Sequence, residues 1–205
     1  PLNVHALFNG AASRTHQISV HFRPDPREVR ESRFFGGTFA YIAGSPFAYI
    51  AYHHLPPQYY GVVFGAGIVG LMALNLVNVR LVLRLGSERM LRAGNWLAAV
   101  GGLAVAVDAW TGWGGLAGLA VPMFLFVSAT GLISANAIAG ALADHPGQAG
   151  SVSALFGTIQ YGTGILGSAL VGLLTDGTPR PMGLVVGFAA LGGLFCMQLL
   201  RPTRP

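Results

Sequence analysis

Lysine is absent from this 205-residue chain, cysteine occurs once, and no acidic residue falls in the middle of a long apolar run. Each absence excludes something. A single cysteine allows no internal disulfide and no cysteine-based metal cluster, and Cys196, in the last apolar run, reads as a small packing residue. With lysine missing, all twelve basic residues are arginine, which reads as a coding bias and not as chemistry. Charged residues make up 9%, against about 25% in ordinary soluble domains. The net charge of +5 would suit nucleic acid, yet the arginines stand at the ends of apolar runs and form no soluble face with aromatics between them. No nucleic-acid partner is expected.

The placing of the acids excludes more. A carboxylate at the bilayer centre costs about 2.5–3.5 kcal/mol on insertion scales, so one found there marks a proton or ion path. Here Asp108, Asp144 and Asp176 sit at run ends, Glu88 lies between runs, and the remaining acids precede the first run. The chain offers no carboxylate relay of its own. His53, His54 and His145 also stand at expected interfaces, and adjacent histidines such as His53 and His54 cannot both face one metal from a single helix face. Ser45 precedes Pro46 with no histidine in mid-run, and neither paired aspartates nor a His-Glu-x-x-His motif occurs. No enzyme activity, cofactor or metal site is therefore expected.

What the chain does contain is hydrophobic length. Hydrophobic residues are 53% and the mean hydropathy is +0.58. A run of about 20 apolar residues spans roughly 30 Å of hydrocarbon as a helix, and a helix satisfies its backbone polar groups internally. Six such runs are expected, at about 34–52, 59–83, 90–110, 116–143, 151–174 and 182–200. The fold class is thus all-α, a polytopic membrane protein with six transmembrane helices over 34–205. Residues 1–33, with five arginines and three acids, show no signal-peptide pattern and read as a cytoplasmic tail or linker.

Arginine counting sets the orientation. If six helices alternate, the tail, the junction bearing Arg80, Arg84, Arg89 and Arg92, and the end bearing Arg201 and Arg204 share one side, leaving only Arg180 opposite. Eleven against one places both termini in the cytoplasm by the positive-inside rule. Tyr59, Tyr60, Trp110 and Trp113 then fall at the outer interface as an aromatic belt. Glycine, at 30 residues, organises the runs. Gly61/Gly65, Gly164/Ser168/Gly172 and Gly183/Gly187 each set small residues on one helix stripe, where backbones can approach closely. Such stripes serve generic packing or surfaces on which helices rock.

The polar groups inside the runs are uncharged: Tyr41, Ser45, Tyr49, Asn75, Ser128, Thr130, Ser134, Asn136, Ser153, Thr158, Gln160, Tyr161, Thr163 and Ser168. Pro46 and Pro122 interrupt the hydrogen-bond ladder and can make kinks. Tyr41, Ser45 and Tyr49 recur every four residues and share a face, and Gln160 and Tyr161 fall near mid-membrane. These groups either bond neighbouring helices or line a weakly polar, aromatic cavity for an apolar or amphipathic solute.

Five segments carry a resemblance. Phe39-Ala-Tyr41-Ile-Ala-Gly-Ser45-Pro46-Phe47 resembles the seventh helix of the bicyclomycin-resistance (Bcr/CflA-type) drug exporters of the major facilitator superfamily, and Leu55-Pro-Pro-Gln58-Tyr-Tyr-Gly61 resembles the loop that follows. Ser134-Ala-Asn136-Ala-Ile-Ala-Gly-Ala-Leu and Ala149-Gly150-Ser-Val-Ser153-Ala-Leu-Phe-Gly157-Thr-Ile-Gln160 are similar to the tenth and eleventh helices. The Asn78-x-Arg80…Arg84-Leu-Gly86-Ser-Glu-Arg89 stretch is similar to the superfamily's short cytoplasmic loop; its arginines sit at a helix C-terminus, which favours positive charge, and Gly86 permits the turn.

The resemblance covers about 34–200 and implies a proton-coupled multidrug antiporter that works by rocking two six-helix halves. Only the second, C-terminal half is matched, and the first half is where such exporters place the coupling carboxylate. By this resemblance Tyr41, Ser45, Phe47, Asn136, Gln160 and Tyr161 line the cavity, and Arg80, Arg84, Gly86 and Arg89 form a cytoplasmic gating loop. The implied partners are a lipophilic or amphipathic drug-like substrate, protons, the missing N-terminal half and the bilayer of a bacterial inner membrane. A truncated gene, a frame-shifted start or a fragment is expected, and this chain alone is expected not to transport. The alternatives are a non-transporting membrane interaction protein, or an independent six-helix permease working as a homodimer.

Overall fold

A computed structural model describes residues 26–144, 147 and 149–199. Helix α1 (Pro26–Pro46) runs into a π turn (Phe47–Tyr52), followed by α2 (Pro57–Leu85), α3 (Ser87–Thr111), α4 (Gly115–Asp144), α5 (Ala149–Leu173) and α6 (Arg180–Leu199). Four of these, α2 to α5, are long and apolar enough to cross a membrane, while the apolar part of α6 is shorter, Arg180–Phe195. Helix α1 does not meet that measure over its described length. Its first turns carry the charged Arg27, Glu28, Arg30, Glu31 and Arg33, which continue the helix ahead of the apolar run expected to open at Phe34. Most of the expected tail lies outside the described residues, as do His145, Arg201, Arg204 and the side chain of Cys196.

The helix boundaries follow from local chemistry. Pro46 has no N–H to give and its ring crowds the carbonyl four residues back. The backbone beyond it widens to π spacing, and His53 N–H donates to the Ala48 carbonyl five residues earlier, at 3.2 Å. His54 at φ 55° turns the chain, and Pro57 opens α2 at a position where a missing N–H costs nothing. The gap expected across Arg84–Arg89 narrows to Gly86, whose φ of 82° lets α3 start one residue after α2 stops. Gly112, in the left-handed conformation, ends α3 in the usual way for a helix C-terminus.

Six helices pair in a regular pattern. α4 lies between α2 and α3, α1 lies between α5 and α6, and α3 against α6 joins the two trios. Exchanging α1 with α4, α2 with α5 and α3 with α6 maps the four pairings within the trios onto one another and leaves the α3–α6 pairing unchanged. The two sets of three consecutive helices therefore play equivalent packing roles.

Phe126 on α4 is fully buried at the centre. Its ring sits where Gly37 on α1 and Gly102 on α3 leave room, since a Cβ at Gly37 would stand 2.9 Å from it. Outside this core the chain is apolar toward its surroundings: Leu83, Leu173, Ile165 and Phe188 are among many large side chains left open. A water-soluble domain rarely shows so broad an apolar surface, and a bilayer accounts for it.

The glycine stripes separate. Gly183 and Gly187 on α6 face Ala109 and Ala106 of α3, and Gly164 on α5 seats the Phe39 ring. No described atom lies within 4 Å of where a Cβ would stand at Gly61, Gly65 or Gly172.

Candidate functional site

The six positions expected to line a cavity fall in separate places. Tyr41 and Ser45 come together with side chains that the sequence had assigned elsewhere. On α1 and its π turn, Tyr41, Ser45 and Tyr49 are all buried. Tyr41 stacks on Phe64 of α2 with ring centroids 5.4 Å apart and planes inclined by 12°, and meets Tyr49 edge-on at 6.4 Å. Tyr60, expected in an interfacial belt, lies half-buried against both Tyr49 and Phe64. Its hydroxyl and that of Ser45 are hydrogen-bonded at 2.9 Å. Offset and edge-on ring contacts of this kind add stability beyond simple burial. The signal for Tyr60 and Phe64 was present as a four-residue spacing matching Tyr41, Ser45 and Tyr49, but nothing in one sequence said the two faces meet.

Phe47 points elsewhere. It lines a pocket of about 190 Å³ between α1, α5 and the start of α6, together with Ser168, Thr175, Thr178 and Met182. Asn136 lies at the opposite end of α4 and is buried against α2. Its amide nitrogen donates to Asn78 Oδ1 at 2.7 Å and to the Leu132 carbonyl at 2.6 Å, while Ser87 Oγ donates to its backbone carbonyl at 3.1 Å. One asparagine thus ties α2, α4 and the start of α3, beside Gly86. Gln160 is half-buried on α5, and Tyr161 is largely exposed, with its ring edge-on to Phe39 at 5.8 Å.

A pair of hydroxyls sits on the core side of α4. Thr130 Oγ1 and Ser134 Oγ are buried and have no hydrogen-bond partner among the described residues. Other hydroxyls behave differently: Ser128, Thr158 and Thr163 within helices, and Thr175 just past the end of α5, each donate to the carbonyl four residues back, at 2.7–2.8 Å. Thr130 and Ser134 lie four residues apart, on the helix face that also carries the buried Met123 and Ala137.

The arginines of the expected gating loop are all exposed: Arg80 and Arg84 on the last turns of α2, Arg89 on the first turn of α3. Arg92 reaches Glu88 one turn back, at 3.3 Å. Such an exposed pair contributes well under about 1 kcal/mol.

At the other end of the bundle, Asp108 is buried and accepts the Gly114 N–H at 2.7 Å, folding the α3–α4 turn over itself. The short Gly118 makes room for its carboxylate. Burial pushes the nearby His53 below the usual imidazole range, with the Asp108 carboxylate pulling the other way and His54 adding to the depression. Arg180 lies over the Trp110 ring at 5.3 Å, joining α6 to α3. In the α5–α6 loop, hydrogen bonds from the Thr178 side chain and backbone hold Asp176 below the usual carboxylate range. No group of three or more metal-ligating side chains occurs among the described residues.

An all-helical bundle with an apolar exterior, uncharged polar groups within and its charges at the ends defines a multi-pass membrane protein. Known proteins say which kind. The chain is 29% identical over 153 residues to a bicyclomycin resistance protein homolog of Haemophilus influenzae, covering 75% of this chain and 38% of that protein. It is 28% identical over 158 residues to YdgK of Bacillus subtilis, an uncharacterized MFS-type transporter, covering 77% of this chain and 39% of that one. These homologues bear out the resemblance to Bcr-type exporters. The chain spans about two-fifths of the length of the curated relatives it matches. No protein-family profile matches the chain, and no solved structure matches it.

Proposed function

We propose that this chain forms the C-terminal six-helix half of a proton-coupled multidrug efflux antiporter and supplies one wall of its substrate cavity. The observation that carries the reading is the exchange symmetry of the helix pairings. Three helices repeated in equivalent roles are what each six-helix half of a major facilitator transporter contains. The coverage of about two-fifths of each relative agrees with one half of a longer protein.

The chemistry of the wall follows from its residues. Gln160 offers a half-buried amide and Tyr161 an exposed ring, while the buried Tyr41–Ser45–Tyr60 cluster and the unspent hydroxyls of Thr130 and Ser134 would join the wall where the helices part. Such a surface suits a lipophilic or amphipathic solute held by ring contacts and few hydrogen bonds. The described residues carry no carboxylate in mid-span, so proton coupling belongs to the first half. Arg80, Arg84 and Arg89 beside Gly86 act at the cytoplasmic ends of α2 and α3, where Asn78, Asn136 and Ser87 brace them.

Efflux of a lipophilic cation from proton-energised vesicles tests this. Vesicles holding the chain alone should show no efflux above lipid controls, and co-reconstitution with a first half should restore it. Robust efflux by the chain alone would refute the assignment of coupling to the other half. The open Gly61/Gly65 stripe favours a second reading, a membrane protein that pairs through α2 without transporting. Cysteine cross-linking at Gly61 between two copies, unchanged by the first half, would support it.

A further inference from the structure

A long apolar groove runs between α5 and α6, with a volume of about 500 Å³. Its walls are Leu166, Leu170 and Leu174 from α5 and Val185 and Phe188 from α6, and Gly36 of α1 forms part of its floor. We propose that this groove binds one acyl chain of a phospholipid from the surrounding bilayer.

Depth is the first reason. On α5 the lining extends from Thr163, near the middle of the helix, to Leu174 at its end. Eleven residues at about 1.5 Å each make about 16 Å, half of the roughly 30 Å hydrocarbon thickness. That is the reach of a single leaflet. Helix α6 runs the opposite way and agrees, since its lining extends from Leu184, one turn into the helix, to Gly192 near the middle.

Polarity is the second. The volume would admit a drug-sized molecule, but such sites hold a few convergent polar groups that orient the ligand. This one holds none that is free. The sole polar side chain of the lining is Thr163, and its hydroxyl already bonds the Ile159 carbonyl at 2.8 Å and the Gln160 carbonyl at 3.1 Å. A solute with polar groups would leave them unsatisfied there, whereas a hydrocarbon chain has none to satisfy.

Shape is the third. The floor cannot be raised from within, because Gly167 backs directly onto the Gly36 carbonyl and has no room for a side chain. Leu166 and Phe188 stand 64% and 69% exposed on either wall and so enclose a trough. At this depth the bilayer supplies only hydrocarbon, and an unfilled trough would forfeit the dispersion contacts of its whole lining.

The test is retention of phospholipid by the purified chain through mild detergent washing, counted by native mass spectrometry. The unmodified chain should keep one phospholipid. Ala189→Trp, which fills the trough from its α6 side, should lower the bound fraction roughly tenfold, equivalent to about 1.4 kcal/mol. Leu166→Trp is a second filler at an open wall position and guards against a folding defect in the first. Leu173→Trp, on α5 but outside the trough, should retain the lipid. Equal retention in all four proteins overturns the proposal, as does equal loss in all three variants. Displacement of the lipid by tetraphenylphosphonium at low micromolar concentration would also overturn it, because the trough would then take drug-like cations in preference to acyl chains.

Discussion

At the residue scale, hydroxyls and amides divide by whether their hydrogen bonds are already made. Ser128 and Thr163 are spent on helix carbonyls and Asn136 on a helix carbonyl and on Asn78, and their work is to hold backbone and neighbouring helices. Thr130 and Ser134 are not. A buried hydroxyl without a partner costs roughly 1–3 kcal/mol of desolvation, so replacing it with an apolar group of the same shape is neutral or stabilising. We therefore expect Thr130→Val to leave the melting temperature of the purified chain unchanged or slightly raised. The same substitution in the assembled two-half protein should shift the ranking of transported cations. A clear loss of thermal stability would show that the hydroxyl has a structural partner. The sequence placed both residues inside a span but could not separate them from Ser128, because rotamer and neighbour decide whether a hydroxyl folds back.

At the scale of elements, close helix crossings depend on particular glycines, and sequence spacing alone does not identify which. Gly101 on α3 lies against α4 so closely that a Cβ would stand 2.8 Å from both the Pro122 carbonyl oxygen and the Phe126 nitrogen. Those are backbone atoms and cannot swing aside. Gly101→Leu should destabilise the bundle by at least about 1–3 kcal/mol, the usual range for overpacking, and lower the monodisperse fraction on size exclusion in detergent. Gly61→Leu, facing open space, should leave that fraction as it was. Equal effects would mean that the α3–α4 crossing is not where the bundle is held. The three glycine stripes legible in the sequence have three different fates here. Only Gly183 and Gly187 support a helix crossing along their full length, while Gly101, Gly131 and Gly167, outside any stripe, stand directly against neighbouring backbone.

At the scale of the whole molecule, burial is uneven. About half of the apolar span of α3 and of α4 is enclosed, but only 17% of that of α2 and 22% of that of α5. Helices α2 and α5 stand at opposite edges of the pairing pattern, each leaning on one main neighbour. On the proposed reading, their open faces are the ones left for a second six-helix half. Cysteines placed at Leu76 and Ile165, both well exposed in this chain, should react with a membrane-permeant maleimide several-fold more slowly once the first half is present. At Val100, on the outward face of α3, the rate should not change. Unchanged rates at all three positions would remove α2 and α5 as the docking faces.

Hydrophobic run length and the absence of mid-span charge determined, from sequence alone, that the chain is a helical membrane protein, because a bilayer imposes those requirements on any chain that crosses it. The exporter resemblance was legible too, carried by short motifs around Ser45, Asn136 and Gln160. Tertiary structure decided which of those residues meet. Tyr41 and Ser45 join Tyr60 and Phe64, whereas Phe47, Asn136 and Tyr161 face three other places. A helix puts residues four apart on one face, but which face meets which neighbour depends on contacts between helices far apart in sequence. Those contacts depend on the room left at Gly37, Gly101 and Gly102 for neighbouring side chains and backbone, which no periodicity within a single helix reveals.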